Sequence, residues 1–383
     1  MTLPGPIIRQ ESQVVPRTAP TDTGTLFIAA KTTGSASSVA QLVETPLQLQ
    51  AKIGARTAGN AALYDAVEAA MMHGARRVYF ATTPNTGTVE EFAAALALFE
   101  RELGPGQVMA VGYAADDEAA INEELLVHAR ENNRRALLQI TGEDRAAIVA
   151  AAGALRSLGE LSKYGAAFCQ KAIIEGIPAL GVASREVPWT AVQAGLIARI
   201  DAQGNPNVPA AGEAGIAQKV LGLDVEYRDP ADREALADAG VNVVRVIVQG
   251  DFPRTYDYVT LADPAKYPEH WMFNNVRLDM AIAAQAEAIA ERFQFKVLDG
   301  NRVTVSQYGG ELAAMLAEYY RMGALFGASA EEAFTVDVSE AVNPVENLAQ
   351  GKLSAVLGVK RSPFARQAEV VVVTAPITAQ LTA

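Results

Sequence analysis

Arg77-Val78-Tyr79-Phe80-Ala81, the run from Gln107 to Tyr113, and the run from Ala136 to Ile140 are short, β-prone and spaced by helical stretches. Thr88-Val89-Glu90-Glu91 opens the first intervening helix, which carries Phe92, Leu96 and Phe99 and stops at Gly104-Pro105-Gly106. Asp116 to Glu131 supplies the second. A strand, a helix and a strand in strict alternation predict a mainly parallel sheet covered by helices, hence an α/β class.

The alternation extends both ways. Upstream, Thr25-Leu26-Phe27-Ile28-Ala29 reads as a strand. Asn60 reads as the N-cap of a helix running to about His73, with Leu63, Val67 and Met71 four apart on one face and Gly74 as the stop. Downstream, Thr141-Gly142-Glu143-Asp144 starts a helix through Leu155 and Leu158. Gly165 to Cys169 and Ala179 to Ala183 read as strands, and Thr190 to Ile200 as a helix.

The second half has another rhythm. Asp229-Pro230 opens a short acidic helix to Ala239, and Gly240 stops it. Val241 to Val248 reads as a central strand and Tyr256 to Leu261 as another. Trp271 to about Phe295 is the longest helix, with Leu278, Ile282, Ile289 and Phe293 on its apolar side. A further helix covers about Gly310 to Leu325, and Phe334 to Val338 reads as a strand. No fixed-period repeat or low-complexity tract interrupts the series.

Beyond this body lie two extended arms. Residues Met1 to Pro20 contain Pro4, Pro6, Pro16 and Pro20 around the β-prone pairs Ile7-Ile8 and Val14-Val15. At the other end, Val370-Val371-Val372-Val373 suits a strand paired along both edges, because an exposed edge of this kind invites aggregation. Such arms suggest strands exchanged between neighbouring subunits. They point to assembly more than to chemistry.

Composition narrows the function. The chain has 383 residues, half of them hydrophobic, and two domains is the expected division. There is no apolar run of about 18 residues to span a membrane, and Met1 to Pro6 lacks the basic and apolar parts of a secretory signal. The expected compartment is therefore a cytoplasm. A net charge of −12 argues against nucleic acid as the partner. Lys352, Lys360, Arg361 and Arg366 form a local basic cluster against that background. Cys169 is the sole cysteine, so neither an internal disulfide nor a cysteine metal cluster can form, and its apolar neighbours suit a buried thiol.

Catalytic motifs are missing from the sequence. There is no phosphate-binding loop with a lysine-serine or lysine-threonine pair, and Gly104-Pro105-Gly106 precedes a strand and not a helix. No Gly-x-Ser-x-Gly elbow occurs, and His73, His128 and His270 share no metal-binding spacing. Trp189 and Trp271 could stack on a ligand but suit packing better, and Asp201 to Asn207 reads as a polar turn before a cation site. No cofactor or metal is expected. A carboxylate pair brought together by the fold stays open.

Taken in order, the landmarks resemble the sheath proteins of contractile phage tails and related injection systems. Pro4-Gly5-Pro6-Ile7 resembles the family's opening, and Gly24 to Ala29 its first core strand. Leu63 to Val67, then His73 to Tyr79, resembles its helix, turn and following strand. Val187 to Asp201 is similar to its Ala-Gly-x-x-Ala-Arg-x-Asp segment, and Asn207 to Gly212 to its Ala-Pro-Ala motif. Ala239 to Arg245, Trp271 to Arg277, Asn343-Pro344 and Gly351-Lys352-Leu353 match its later landmarks. Two segments depart from the pattern, Gln249 to Thr255 and His73-Gly74-Ala75, and the chain is short for the family.

The resemblance implies a structural subunit, not an enzyme, that polymerises into a helical sleeve of stacked hexameric rings around an inner tail tube. Its further partners would be baseplate and tail terminator proteins, and its place a virion tail assembled in the host cytoplasm. It implies an N-terminal arm over residues 1–20, an outer α/β domain over 21–195, an inner sheath domain over 196–363 and a C-terminal strand arm over 364–383. Ile7, Ile8, Val14, Val15 and Val370, Val371, Val372, Val373 would pair between subunits. Lys352, Lys360, Arg361 and Arg366 would contact the inner tube or serve as a hinge, with linkers near Arg17–Asp22 and Ser362–Arg366. The alternatives are a homo-oligomeric α/β enzyme of hydrolase or ligand-binding type, and a scaffold that does not contract.

Overall fold

The computed structural model describes residues 22–248 and 251–367. The described chain begins with β1 (Leu26–Lys31), β2 (Gln41–Val43), α1 (Pro46–Ile53), α2 (Ala61–His73), β3 (Val78–Thr83) and α3 (Val89–Ala97). It continues through β4 (Gln107–Val111), α4 (Glu118–Glu131), β5 (Arg135–Gln139), α5 (Arg145–Arg156) and β6 (Gly165–Phe168). Next come β7 (Lys171–Ile177), β8 (Val182–Pro188), α6 (Trp189–Asp201), β9 (Val220–Leu223) and α7 (Pro230–Asp238). The remainder comprises β10 (Val241–Asn242), β11 (Val244–Arg245), β12 (Arg254–Thr255), α8 (Phe273–Phe293), α9 (Val303–Arg321), α10 (Ala330–Ala333), β13 (Phe334–Asp337), α11 (Val345–Ala349) and β14 (Val356–Val359).

The expected parallel sheet is present. Strands β3-β1-β4-β5-β6 run parallel, with β10 added in parallel beyond β6 and β2 antiparallel beyond β3. Successive side chains of β1 divide between two cores. Leu26, Ile28 and Ala30 pack with α2 and α6, while Phe27 and Ala29 pack with α3, α4 and α5. Burial on both faces is why these strands read as continuous apolar runs. Local chemistry sets the helix starts: Thr88 and Glu91 form a reciprocal capping box on α3, and Asp144 and Asp229 cap α5 and α7.

Several expectations need correction. Asn60 stands at the N-cap of α2, but its amide bridges Thr57 N–H and the Ala55 carbonyl instead of capping the helix. Of Ala179 to Ala183 only Val182 and Ala183 are in a strand, the start of β8; Ala179 to Gly181 belong to the turn from β7, with Gly181 at φ 71°. Val241 to Val248 is not one central strand. Only Val241 and Asn242 join the edge of the large sheet, after which Val244 and Arg245 pair with β12. The Asn242 side chain causes the switch: it donates to the Ala167 and Val259 carbonyls and accepts from Val259 N–H, taking the place of a ladder. Tyr256 to Leu261 is accordingly no strand beyond a single bridge at Val259. α9 starts at Val303, well before Gly310, because the Asp299 carboxylate accepts from the Val303 and Thr304 amides.

Helix α6 is the buried axle of the molecule. Every residue from Trp189 to Ala198 is buried, and the helix packs on α2 and touches strands of both the large sheet and the β8-β7-β9 sheet. Gly195 permits this: a Cβ there would run into the Ala70 carbonyl and lie 2.7 Å from His73 Cβ. The expected division between residues 195 and 196 falls inside this continuous helix. The packing separates elsewhere, along α8. Phe273 and Val276 at its start belong to the core of α6, whereas Leu278 onward joins α9 and the antiparallel β13-β14 ribbon in a third core.

The third core is bolted to the rest by polar contacts. Arg135 Nε donates to the Val276 carbonyl at 2.7 Å, and Asn133 Nδ2 to the Met280 carbonyl at 3.0 Å. Arg101 pairs with Glu287 through both carboxylate oxygens, at 3.2 and 3.0 Å.

Candidate functional site

Asp201 closes α6, and its carboxylate is the centre of a buried junction. Arg277, on the first turns of α8 and wholly buried, forms an ion pair with it. Thr23 Oγ1 donates to its second oxygen at 2.8 Å. Arg277 Nη1 also donates to the Pro206 carbonyl and to Tyr258 Oη, both at 3.1 Å. Burial alone would lower the Arg277 pKa, but the Asp201 and Tyr258 contacts outweigh it and raise the value, keeping the charge fixed.

The polar turn after α6 extends the junction. Asn205 Nδ2 donates to the Met322 carbonyl past the end of α9, at 2.9 Å. Asn207 Nδ2 donates to the Ser362 carbonyl at 2.8 Å, and Asn207 Oδ1 accepts from Asn274 Nδ2 at 2.9 Å. The Asp201 to Asn207 segment therefore spends its side chains on other parts of the chain. Among the described residues no group of three His, Cys, Asp or Glu side chains could hold a metal ion.

The last described segment is held on the same surface. Arg361 pairs with Asp279, whose other neighbour is His270 at 3.8 Å. Phe364 packs against the core around α6. Arg366 grips the Asp257 carboxylate twice, at 3.1 and 2.6 Å, with its guanidinium 4.8 Å from the Trp271 ring centre. The first and last described stretches thus converge: Thr23 reaches Asp201, Asp201 reaches Arg277, and the Asn207–Asn274 pair reaches Ser362. The first and last described stretches are thereby tied to one buried junction.

This geometry sorts the basic cluster read from the sequence. Arg361 and Arg366 are committed to carboxylates of the same chain. Lys352 and Lys360 are exposed, with Lys352 in the turn after α11 and Lys360 just past β14. Ile7, Ile8, Val14, Val15, Val370, Val371, Val372 and Val373 lie outside the described residues, as does all of the Arg17–Asp22 linker but Asp22. Sequence reasoning missed Thr23, Asp257, Asn274 and Arg277. The density of Asn and Asp at 201–207 and 274–275 was the available signal, since buried amides are used where separate segments must be tied.

A second concavity, of about 360 Å³, sits at the carboxyl ends of β4 and β5. In the order β3-β1-β4-β5-β6 the chain reverses direction between β1 and β4, where α/β sheets often bind ligands. Here the charged groups are engaged within the protein. Glu118 accepts from Thr141 N–H and Oγ1 at 2.7 and 2.8 Å, Asp65 pairs with Arg56 and Arg185, and Lys171 lies 3.7 Å from Glu186. Burial raises the Glu118 pKa and pushes the Cys169 thiol, buried in the neighbouring core, up to about 12. Trp189 is likewise structural, donating to Thr255 Oγ1 at 3.0 Å from a fully buried position. Among the described residues no helix is long and apolar enough to cross a membrane.

No family model matches the sequence, and no curated protein matches it. Solved structures do. A chain of the anti-feeding prophage baseplate, six-fold symmetrised, is 15% identical, with 98% of this chain and 99% of that one covered at a TM-score of 0.75. The sheath complex of an extracellular contractile injection system, PVC, in its contracted state is 14% identical over 97% and 98%, at 0.74. The contracted helical sheath of the anti-feeding prophage is 16% identical over 98% and 99%, at 0.72. Over almost its whole length the chain has the fold of contractile sheath proteins.

Proposed function

We propose that the protein is a structural subunit of a contractile sheath, polymerising into a helical sleeve around an inner tube and contracting to drive that tube through a target envelope. The observation that carries this reading is the likeness to two contracted sheaths, which spans the α/β body, α8, α9 and the β13-β14 ribbon together and not one common sheet alone. Residues 1–20 and 368–383 act as arms whose valines and isoleucines add strands to neighbouring copies. The junction at Asp201 and Arg277 supports this, since it anchors the chain just inside both arms. A pull on either arm then reaches a body braced across its cores, and contraction reorients rigid subunits without unpairing strands.

In this account the sleeve is built of stacked rings assembled in the host cytoplasm, with inner tube, baseplate and terminator proteins as partners, in a phage tail or an injection system. The free energy released on contraction comes from added interface between bodies, with no nucleotide consumed. Lys352 and Lys360 are exposed, and in this reading they set register against the tube. Deleting residues 368–383 should leave a soluble body that no longer polymerises. Tubes formed by that truncated protein would overturn strand exchange. Lys352→Glu with Lys360→Glu should weaken capture of the inner tube, most visibly at low salt, and capture unchanged across salt would remove both lysines from the contact.

A further inference from the structure

The loop joining α8 to α9, residues 294–302, presents an apolar tip. Phe295 is fully exposed, and Val297 and Val303 beside it are 80% and 53% exposed. Phe295 also adopts φ 62°, a left-handed backbone that is unfavourable for a bulky side chain. Exposure and backbone both work against this conformation in an isolated chain, and outliers of this kind cluster where a surface is used.

The opposite end of α9 carries a concave surface. A groove of about 640 Å³ is lined by Tyr320, Leu325, Phe326, Gly327, Glu332 and Lys360, with Phe326 itself 61% exposed. The helices are antiparallel, as the Phe293–Tyr308 and Arg292–Glu311 contacts near the tip require. α9 has 19 residues, so tip and groove stand about 28 Å apart along it at about 1.5 Å per residue. They cannot meet within one chain.

We propose that the Phe295 tip of one copy seats in the Phe326 groove of the next. Both surfaces are largely apolar; Lys296 follows Phe295 in the tip, and the groove is bordered by Glu332, of opposite charge to it, and by Lys360. The contact is heterologous, since each copy offers a tip at one end and a groove at the other. Repeating it yields an open row of copies and not a closed pair, which is the symmetry a helical sleeve needs. The inference rests on the self-assembling reading above and adds to it a contact between bodies that does not involve the arms.

Two cysteines test it. Phe295→Cys and Phe326→Cys are installed together, and the assembled protein is oxidised and run on a non-reducing gel. The native Cys169 is buried and does not compete. The double variant should give a ladder of covalent multimers that neither single variant gives, because about 28 Å far exceeds the reach of a disulfide within one chain. Tubes that form normally while the oxidised double variant stays monomeric overturn the contact but leave the sheath reading standing. Wild-type protein that forms no tubes overturns the sheath reading, and the contact with it. Phe295→Asp supplies an independent measure: with its side chain in solvent, folding is spared, and the critical concentration for polymerisation should rise at least tenfold. An unchanged critical concentration overturns the proposal.

Discussion

Asp201→Asn removes one negative charge from the buried junction and leaves the Arg277 guanidinium with only neutral partners. Arg277 is wholly buried and Asp201 nearly so, so no solvent screens the change. The Thr23 hydrogen bond to the carboxylate is weakened at the same time. Removing one partner of a buried pair costs about 3–5 kcal/mol, mostly because the remaining charge stays buried. For a chain of this length the unfolding entropy is about 0.8 kcal/mol per degree, so the melting temperature should fall by about 4–6 °C. Calorimetry of the purified variant measures this directly. Replacing both partners by apolar residues, Asp201→Leu with Arg277→Met, should recover most of the loss, since neither leaves a stranded charge. A melting temperature within about 1 °C of wild type for Asp201→Asn alone would refute the view that this junction ties the first and last described segments to the body.

Gly195→Ala should destabilise by about 1–3 kcal/mol by prising α6 from α2, because the obstructing Ala70 carbonyl is backbone and cannot rotate away; a neutral result in urea unfolding would contradict that close packing. His128 is lowered to about 3 by burial and by the Arg134 charge, and His73 is lowered mainly by burial. His128 stays neutral in the fold while the unfolded chain takes up a proton below about pH 6.5. Its contribution to stability is therefore full above that value and is lost as pH falls, by about 2 kcal/mol between about pH 7 and pH 5, and His73 acts in the same direction. Glu118, raised by burial, has the opposite sign and acts in the carboxylate range. A urea midpoint flat from about pH 7 to pH 5 would refute the assignment to His128 and His73.

Much of this architecture was legible in the sequence, and the losses have physical causes. The parallel strands were readable because burial on both faces makes them short and largely apolar, as in Gln107 to Val111 after Gly104-Pro105-Gly106. β10 and β11 were not, since Val241 to Val248 has the composition of one strand and only the Asn242 side chain, bonding across to Val259, breaks it in two. The helix read from about Gly310 begins earlier, and Gly309 and Gly310 lie inside α9, where Gly309 makes room for Val338. At the candidate site, Lys352, Lys360, Arg361 and Arg366 were found as a charge cluster, yet sequence could not tell which would be spent within the chain. Asp257 and Asp279, which absorb two of them, are more than eighty positions away from the arginines they hold.

The central claim is tested most directly by negative-stain electron microscopy of the purified full-length protein at high concentration. Hollow, striated tubes of uniform width are the predicted result, and their shortening in the presence of a preassembled inner tube would separate a contracting sheath from a static scaffold. Dispersed small particles, from protein with both arms intact, would contradict the account.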